Sequence, residues 1–165
     1  MTLPIALRSA SPAATRRIGE RIGRHLRAGD VVLLSGELGA GKTMLAQGIG
    51  KGMGVTDPIK SSSFVIVNEY AGALLRLHHA DLYRLEDPEQ VAELALEESA
   101  EHGVLVVEWP ERALHEMPPD HLLVRLAYDT ARARTIEIEA HGDRYAEIAL
   151  ALSAQRRQRG AQKKP

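Results

Sequence analysis

Val31-Val32-Leu33-Leu34-Ser35-Gly36-Glu37-Leu38-Gly39-Ala40-Gly41-Lys42-Thr43 is the stretch that decides the fold. Val31 to Leu34 is an unbroken apolar run, the pattern of a strand buried on both faces. Gly36 to Thr43 fits the spacing G-x-x-x-x-G-K-[ST] in full. Leu45, Ile49 and Met53 then repeat at helical spacing, which predicts a helix from Lys42 to about Met53. In a strand–turn–helix of this kind, successive backbone N–H groups form a concave anion nest, and the helix N-terminus adds partial positive charge. Lys42 is then placed to reach the β- and γ-phosphates of a nucleotide, and the Thr43 hydroxyl to ligate Mg²⁺. Gly36, Glu37, Leu38, Gly39, Ala40, Gly41, Lys42 and Thr43 are therefore read as nucleotide-binding residues. The Glu37 carboxylate is expected to point outward, because a charge of that sign is disfavoured beside triphosphate. Seven of the 14 glycines lie between Gly36 and Gly54, which calls for unusual backbone angles or a close approach there.

Working outward, Leu3, Ile5 and Leu7 alternate as a first strand, and Pro4 confines it to a sheet edge. Ser11-Pro12 is a helix start, and Ala14, Ile18, Ile22 and Leu26 give that helix one buried stripe, ended by Gly29. Two strands, Phe64 to Tyr70 and Ala73 to His79, are expected to join at Ala71-Gly72. A short acidic helix over Val91 to Ser99 leads to a second fully apolar strand, Val104 to Val107. His121 to Tyr128 and Arg134 to Glu139 alternate as a terminal antiparallel pair, and Tyr145, Ile148, Ala149 and Leu152 mark a last helix. Strands alternating with helices predict an α/β, three-layer phosphate-loop (P-loop) fold with a mostly parallel central sheet and an antiparallel C-terminal strand pair.

A phosphate loop needs a carboxylate at the end of a neighbouring buried strand to hold the metal or its water. Glu108 directly follows Val104 to Val107, so it is expected to emerge at the C-terminal edge of the sheet, where α/β ligand sites lie. Asp81 is the competitor, and both can serve, one on the metal and one on the attacking water. Trp109, the only tryptophan, follows Glu108 and is a candidate to stack on the base.

The chain has 165 residues, a single-domain length, with 44% hydrophobic and 26% charged residues. No run of about 18 apolar residues is present, so no membrane-spanning helix is expected. The N-terminal residues lack a signal-peptide layout, and the absence of cysteine excludes disulfides, thiol catalysis and thiolate zinc sites. The expected location is the cytoplasm. The formal net charge of -1 hides two blocks. Asp81 to Glu111 holds ten acidic residues against Arg84, while Arg156, Arg157, Arg159, Lys163 and Lys164 make the tail basic. The expected organisation is one nucleotide-hydrolysing domain over residues 1–153 and a basic, disordered tail over 154–165.

Taken together, these stretches resemble the TsaE (YjeE) family, the small bacterial ATPase subunit of the tRNA threonylcarbamoyladenosine system. The resemblance is carried by Gly36 to Thr43, by Lys60-Ser61-Ser62-Ser63-Phe64, Asn68-Glu69-Tyr70 and His79-Ala80-Asp81-Leu82-Tyr83-Arg84-Leu85, and by Glu108-Trp109-Pro110-Glu111. It implies that Ser61, Ser63 and Phe64 belong to a nucleotide-responsive switch loop, and that His79, Asp81 and Tyr83 form a second. It implies Mg²⁺ shared by Thr43 and Glu108, catalysis through Asp81 and Lys42, and Trp109 against adenine. The implied role is to bind and hydrolyse ATP with Mg²⁺, resetting a pair of sugar-kinase-like subunits of the TsaB and TsaD type. Those subunits transfer threonylcarbamoyl to the adenosine next to the anticodon of tRNAs that read A-starting codons, so this chain meets tRNA only indirectly. One departure stands out. The family has Ser-Pro-Thr where this chain has Ser61-Ser62-Ser63, and without proline the loop backbone is less constrained.

The alternative is a small-molecule or nucleotide kinase with the same loop. Such an enzyme needs an arginine-bearing lid, and Pro110 to Asp120, with one arginine and Pro118-Pro119, is a poor one. A GTPase is disfavoured because no Asn-Lys-x-Asp is present to read guanine. A non-catalytic, nucleotide-gated adaptor is the third reading. Arg84 and Arg112 are candidate phosphate contacts, each equally suited to balance the acidic stretch. His78 and His79 have no further ligands at metal-site spacing.

Overall fold

The computed structural model describes residues 4–61 and 66–161, with residues 155–161 described by backbone alone. Seven strands form one sheet: β1 Ile5–Ser9, β2 Val31–Gly36, β3 Val67–Ala71, β4 Arg76–Asp81, β5 Gly103–Glu108, β6 His121–Tyr128 and β7 Arg134–His141. Their order is β1-β7-β6-β2-β5-β4-β3. The four central strands, β6, β2, β5 and β4, are parallel to one another. Antiparallel β7 and β1 extend one side, and antiparallel β3 the other. The parallel centre and the antiparallel C-terminal pair agree with the sequence reading. The first strand lies at the sheet edge, as Pro4 requires.

Alternation along the buried strands separates the core into two layers. Val32 and Leu34 of β2, with Val104 and Val106 of β5, face α1 (Pro12–Gly23), α2 (Lys42–Gly52) and α4 (Asp143–Ala161). Val31, Leu33, Leu105 and Val107 face the other way, onto α3 (Leu96–Glu101) and two 3-10 segments, Pro88–Leu94 and Pro110–Glu116. Helix α1 starts where expected, with the Ser11 hydroxyl accepting the Ala14 N–H at 3.1 Å. Helices α1 and α2 pack at backbone contact. A Cβ on Gly48 would strike the Arg16 carbonyl, and one on Gly23 the Ile49 carbonyl. Part of the glycine concentration between Gly36 and Gly54 therefore serves helix packing rather than the loop.

Three local expectations are corrected. The β3–β4 turn spans Gly72 to Leu75, closed by Gly72 N–H to the Leu75 carbonyl at 3.0 Å, and not Ala71-Gly72 alone. The longer turn puts Leu74 in solvent and brings Leu77 and His79 into the buried register. The acidic helix over Val91 to Ser99 is instead a 3-10 segment and α3, broken at Ala95, which takes φ 49°. The break lets Val91 and Leu96 both reach the sheet. The last helix runs through the basic segment to Ala161, where a disordered tail was expected from residue 154. Ala154 to Arg159 are helix formers with no proline among them, so nothing stops propagation. No helix among the described residues is long and apolar enough to cross a membrane.

Candidate functional site

The parallel register aligns the C-terminal ends of three strands. Leu34 lies opposite Glu108, and Glu108 opposite Asp81. Strand period then puts His79, Asp81, Val106 and Glu108 on the face covered by α2. The turn after β2 carries Gly39 at φ 77° and Gly41 at φ 105°, left-handed conformations that glycine adopts without steric cost. Gly41 feeds directly into α2, so Lys42 and Thr43 open that helix over the strand ends.

Thr43 Oγ1 lies 3.0 and 3.2 Å from the two carboxylate oxygens of Glu108. Glu108 is 2% exposed, and its Oε1 also meets His79 Nε2 at 2.9 Å. His79 is buried and meets the cleft only through Glu108. Lys42 Nζ donates to the carbonyls of Gly36 at 2.5 Å and Glu37 at 2.9 Å, and sits 4.0 Å from the Trp109 ring centroid. Burial pushes the Lys42 ammonium below its ordinary value, while Glu108, Glu111 and Asp81 push it back up.

Asp81 links two segments. Its Oδ2 accepts the Ser61 hydroxyl at 2.8 Å and its Oδ1 the Tyr83 N–H at 3.0 Å. The Tyr83 and Trp109 rings are 4.9 Å apart. Trp109 holds φ 59°, a conformation costing a bulky residue about 1–3 kcal/mol. Its N–H bond to the Leu34 carbonyl, 3.2 Å, and the two ring contacts hold it there.

Lys42, Thr43, Ser61, Asp81, Tyr83, Glu108 and Trp109 thus line one cleft of about 300 Å³, together with Leu38, Gly39, Ala40 and Gly41. Gly36 and Glu37 line a hollow on the far side of the loop, and the exposed Glu37 side chain points outward as expected. Ser63 and Phe64, and the departure at Ser62, lie outside the described residues. The Arg112 guanidinium stands 5.6 Å from the Tyr83 ring. Among the described residues no group of three or more histidine or acidic side chains could cage a metal. A hydroxyl beside a buried carboxylate is the donor set suited to Mg²⁺, which takes one or two protein oxygens and completes its shell with phosphate and water.

The cleft has a second wall that the sequence reading did not anticipate. Ser11 at the N-cap of α1, Pro12 and Thr15 of α1, and Arg132 and Arg134 of the β6–β7 hairpin also line it. Ser11-Pro12 carried a helix-start signal only. Arg132 and Arg134 carry none, since their position follows from β6 pairing with β2.

A family model described as Threonylcarbamoyl adenosine biosynthesis protein TsaE matches residues 9–136. A protein of Nostoc sp. named tRNA threonylcarbamoyladenosine biosynthesis protein TsaE is 43% identical over 134 residues, covering 78% of this chain and 82% of that protein. Proteins of the same name from Streptomyces coelicolor and Bacillus subtilis are 40% and 34% identical, over 84% and 88% of this chain and 99% and 92% of theirs. The crystal structure of Bacillus subtilis YdiB matches with a TM-score of 0.82 at 31% identity, covering 94% of this chain and 97% of that one. With the loop, both carboxylates and the tryptophan in the order the family resemblance requires, the chain belongs to the TsaE family.

Proposed function

We propose that this chain binds and hydrolyses ATP with Mg²⁺ as the nucleotide-driven component of tRNA threonylcarbamoyladenosine biosynthesis. The observation that carries this reading is the meeting of Thr43 Oγ1 with Glu108 at the mouth of a phosphate nest. Thr43 and Glu108 are the residues to hold Mg²⁺, which would neutralise charge on the phosphate chain. Lys42 exchanges its loop carbonyls for phosphate oxygens. Asp81, released from Ser61, orients the attacking water, so Ser61, Asp81 and Tyr83 change partners with the nucleotide state. A ring in contact with Lys42 stands at the terminal-phosphate end of the site. We therefore assign Trp109 to Lys42 and the phosphates, in place of the adenine stacking implied by the family.

The cleft volume is at the small end for a ligand site, which suits one nucleotide and leaves little room for a second substrate. The segment after Trp109 is packed down, with Ala113 only 1% exposed, which argues against a kinase lid. Both observations support a role exerted on partners, the TsaB- and TsaD-type heterodimer, with tRNA reached only through them.

Lys42→Ala is expected to abolish MgATP binding in a calorimetric titration while the thermal melt stays near wild type. Retained affinity would remove the phosphate-loop argument, and phosphoryl transfer to a nucleoside monophosphate or shikimate-like acceptor by the wild-type chain would favour the kinase. Trp109 fluorescence is expected to change on saturation with ATP, because Lys42 leaves the ring. A silent titration with confirmed binding would contradict that assignment.

A further inference from the structure

The β6–β7 hairpin grips the phosphate loop from outside. Arg134 Nε donates to the Ala40 carbonyl at 3.1 Å. The Tyr128 hydroxyl donates to the Leu38 carbonyl at 3.1 Å. The Arg134 guanidinium lies 4.1 Å from the Tyr128 ring centroid, so the two side chains form one stacked unit. That unit is fixed to its own hairpin: the same guanidinium donates to the carbonyls of Thr130 at 3.2 Å and Ala133 at 3.0 Å. Gly39 fits beside it because a Cβ there would come within 2.8 Å of the Tyr128 hydroxyl.

The consequence follows from peptide geometry. Within one planar peptide, the C=O of a residue and the N–H of the next point in opposite directions. Holding the Leu38 and Ala40 carbonyls toward Tyr128 and Arg134 turns the Gly39 and Gly41 N–H groups away from those side chains. These are two of the donors an anion nest needs. The loop is braced from within by the Ala40 N–H bond to the Glu37 carbonyl, 3.0 Å, and by Lys42, but both flanking glycines have a permissive backbone, so the hairpin bonds add a constraint on this orientation. We infer that Arg134, acting with Tyr128, is a positioning residue that holds the phosphate loop in its anion-binding conformation and so sets its affinity for the phosphate chain of a nucleotide. The inference rests on the nucleotide reading of the same loop.

The test uses the full chain with R134A, R134K and Y128F, and two measurements. Hydrogen exchange without nucleotide is expected to show faster exchange of the Gly39 to Gly41 amides in R134A, with smaller increases in R134K and Y128F. Titration with MgATP is expected to show affinity lowered about tenfold in R134A, as when the competent loop conformation falls to about a tenth of the population. KM should rise with the dissociation constant, while kcat at saturating ATP stays within about twofold, since a nest filled by ligand no longer needs the clamp. Lysine can reach one loop carbonyl but cannot reproduce the stacked fork, so R134K should restore affinity only in part. Unchanged exchange at Gly39 to Gly41 in all three variants would overturn the inference. So would faster exchange with unaltered MgATP affinity, or a collapse of kcat at constant KM, which would make Arg134 a group acting on the transferred phosphate. Should the wild-type chain bind no MgATP, the nucleotide reading falls, while the exchange measurement still decides whether the hairpin holds the loop. If R134A fails to fold, Y128F carries both measurements.

Discussion

The two ends of the central sheet each bury a carboxylate, and they treat it differently. Asp30, just before β2, is 3% exposed. It receives the Arg144 guanidinium through two bonds, 3.2 and 2.8 Å, and the Arg27 N–H at 2.7 Å. Arg144 also donates to the His25 carbonyl, so a positive charge is fixed on this carboxylate by the protein itself. Glu108, at the opposite end of the neighbouring strand, is equally buried, at 2%. Its hydrogen-bond partners are the Thr43 hydroxyl and a histidine ring. Taking a carboxylate out of water is costly unless a cation accompanies it. At the Asp30 end an arginine is bonded directly to the carboxylate; at the Glu108 end the bonded groups are a hydroxyl and an imidazole, and the Lys42 ammonium acts on the carboxylate through space. The first arrangement ties α4 to the root of β2. The second leaves a carboxylate suited to a cation that arrives with a ligand.

The sharpest way to break this contrast is Glu108→Gln. ATP hydrolysis in the reconstituted complex should fall about 100- to 1,000-fold, equivalent to ~3–4 kcal/mol of barrier. Stability should stay within about 1 kcal/mol, because the amide removes a buried charge and still bonds Thr43. Parallel turnover and urea-denaturation measurements separate the two quantities. A large loss of stability with hydrolysis intact would make Glu108 a structural residue like Asp30.

Asp30→Ala is the converse and comes next in size. It leaves Arg144 without its main partner, and should destabilise the fold by about 2–3 kcal/mol. The value lies below that for a fully stranded charge because the Arg144 side chain is 26% exposed and keeps the His25 carbonyl. MgATP affinity should be unchanged, since the change lies at the far end of the sheet. Reduced MgATP affinity at full stability would show that the two ends are coupled.

The same division separates what could be read from residues alone. The Glu108 end is built from contiguous signals: an apolar strand, a glycine-spaced loop with Lys42 and Thr43, and a second apolar strand ending in a carboxylate. Each signal is local, so residues alone place the loop, Glu108 and Asp81 at one sheet edge, where the structure brings them together around the parallel sheet centre. The Asp30 end and the Arg134–Tyr128 wall depend on pairs more than 80 residues apart, Asp30 with Arg144 and Ala40 with Arg134. Nothing near Arg134 in sequence distinguishes it from Arg132 or any solvated arginine. It meets the loop only because β6 crosses to lie beside β2. Element boundaries failed for a related reason. Ala95 breaks a helix-like pattern so that Val91 and Leu96 can both reach a sheet whose position local periodicity does not encode.

The smallest expected effect concerns acid stability, and it belongs to the Asp30 end. His121 begins β6 and is 9% exposed. Its Nδ1–H donates to the Pro118 carbonyl at 2.7 Å, and its ring stacks on His141 at 4.5 Å. Burial, the largest influence, pushes its pKa below the ordinary value of 6.5, and His141 adds to this. The Pro118 bond, Glu139 and Asp120 oppose the shift without reversing it. The folded state therefore holds this ring neutral while the unfolded chain titrates at its ordinary value. That contribution to stability is complete above the unfolded value and is lost as pH falls from there through the lowered folded value. His25 and His78 are shifted the same way by burial, so their contributions have the same sign. The melting temperature should accordingly be lower at pH 5 than at pH 7. His121→Phe, which keeps an aromatic ring against His141, should flatten part of that difference and leave the rest to His25 and His78. An unaltered pH slope in the variant would mean that folded His121 titrates as it does in the unfolded chain, with the Pro118 bond, Glu139 and Asp120 cancelling burial.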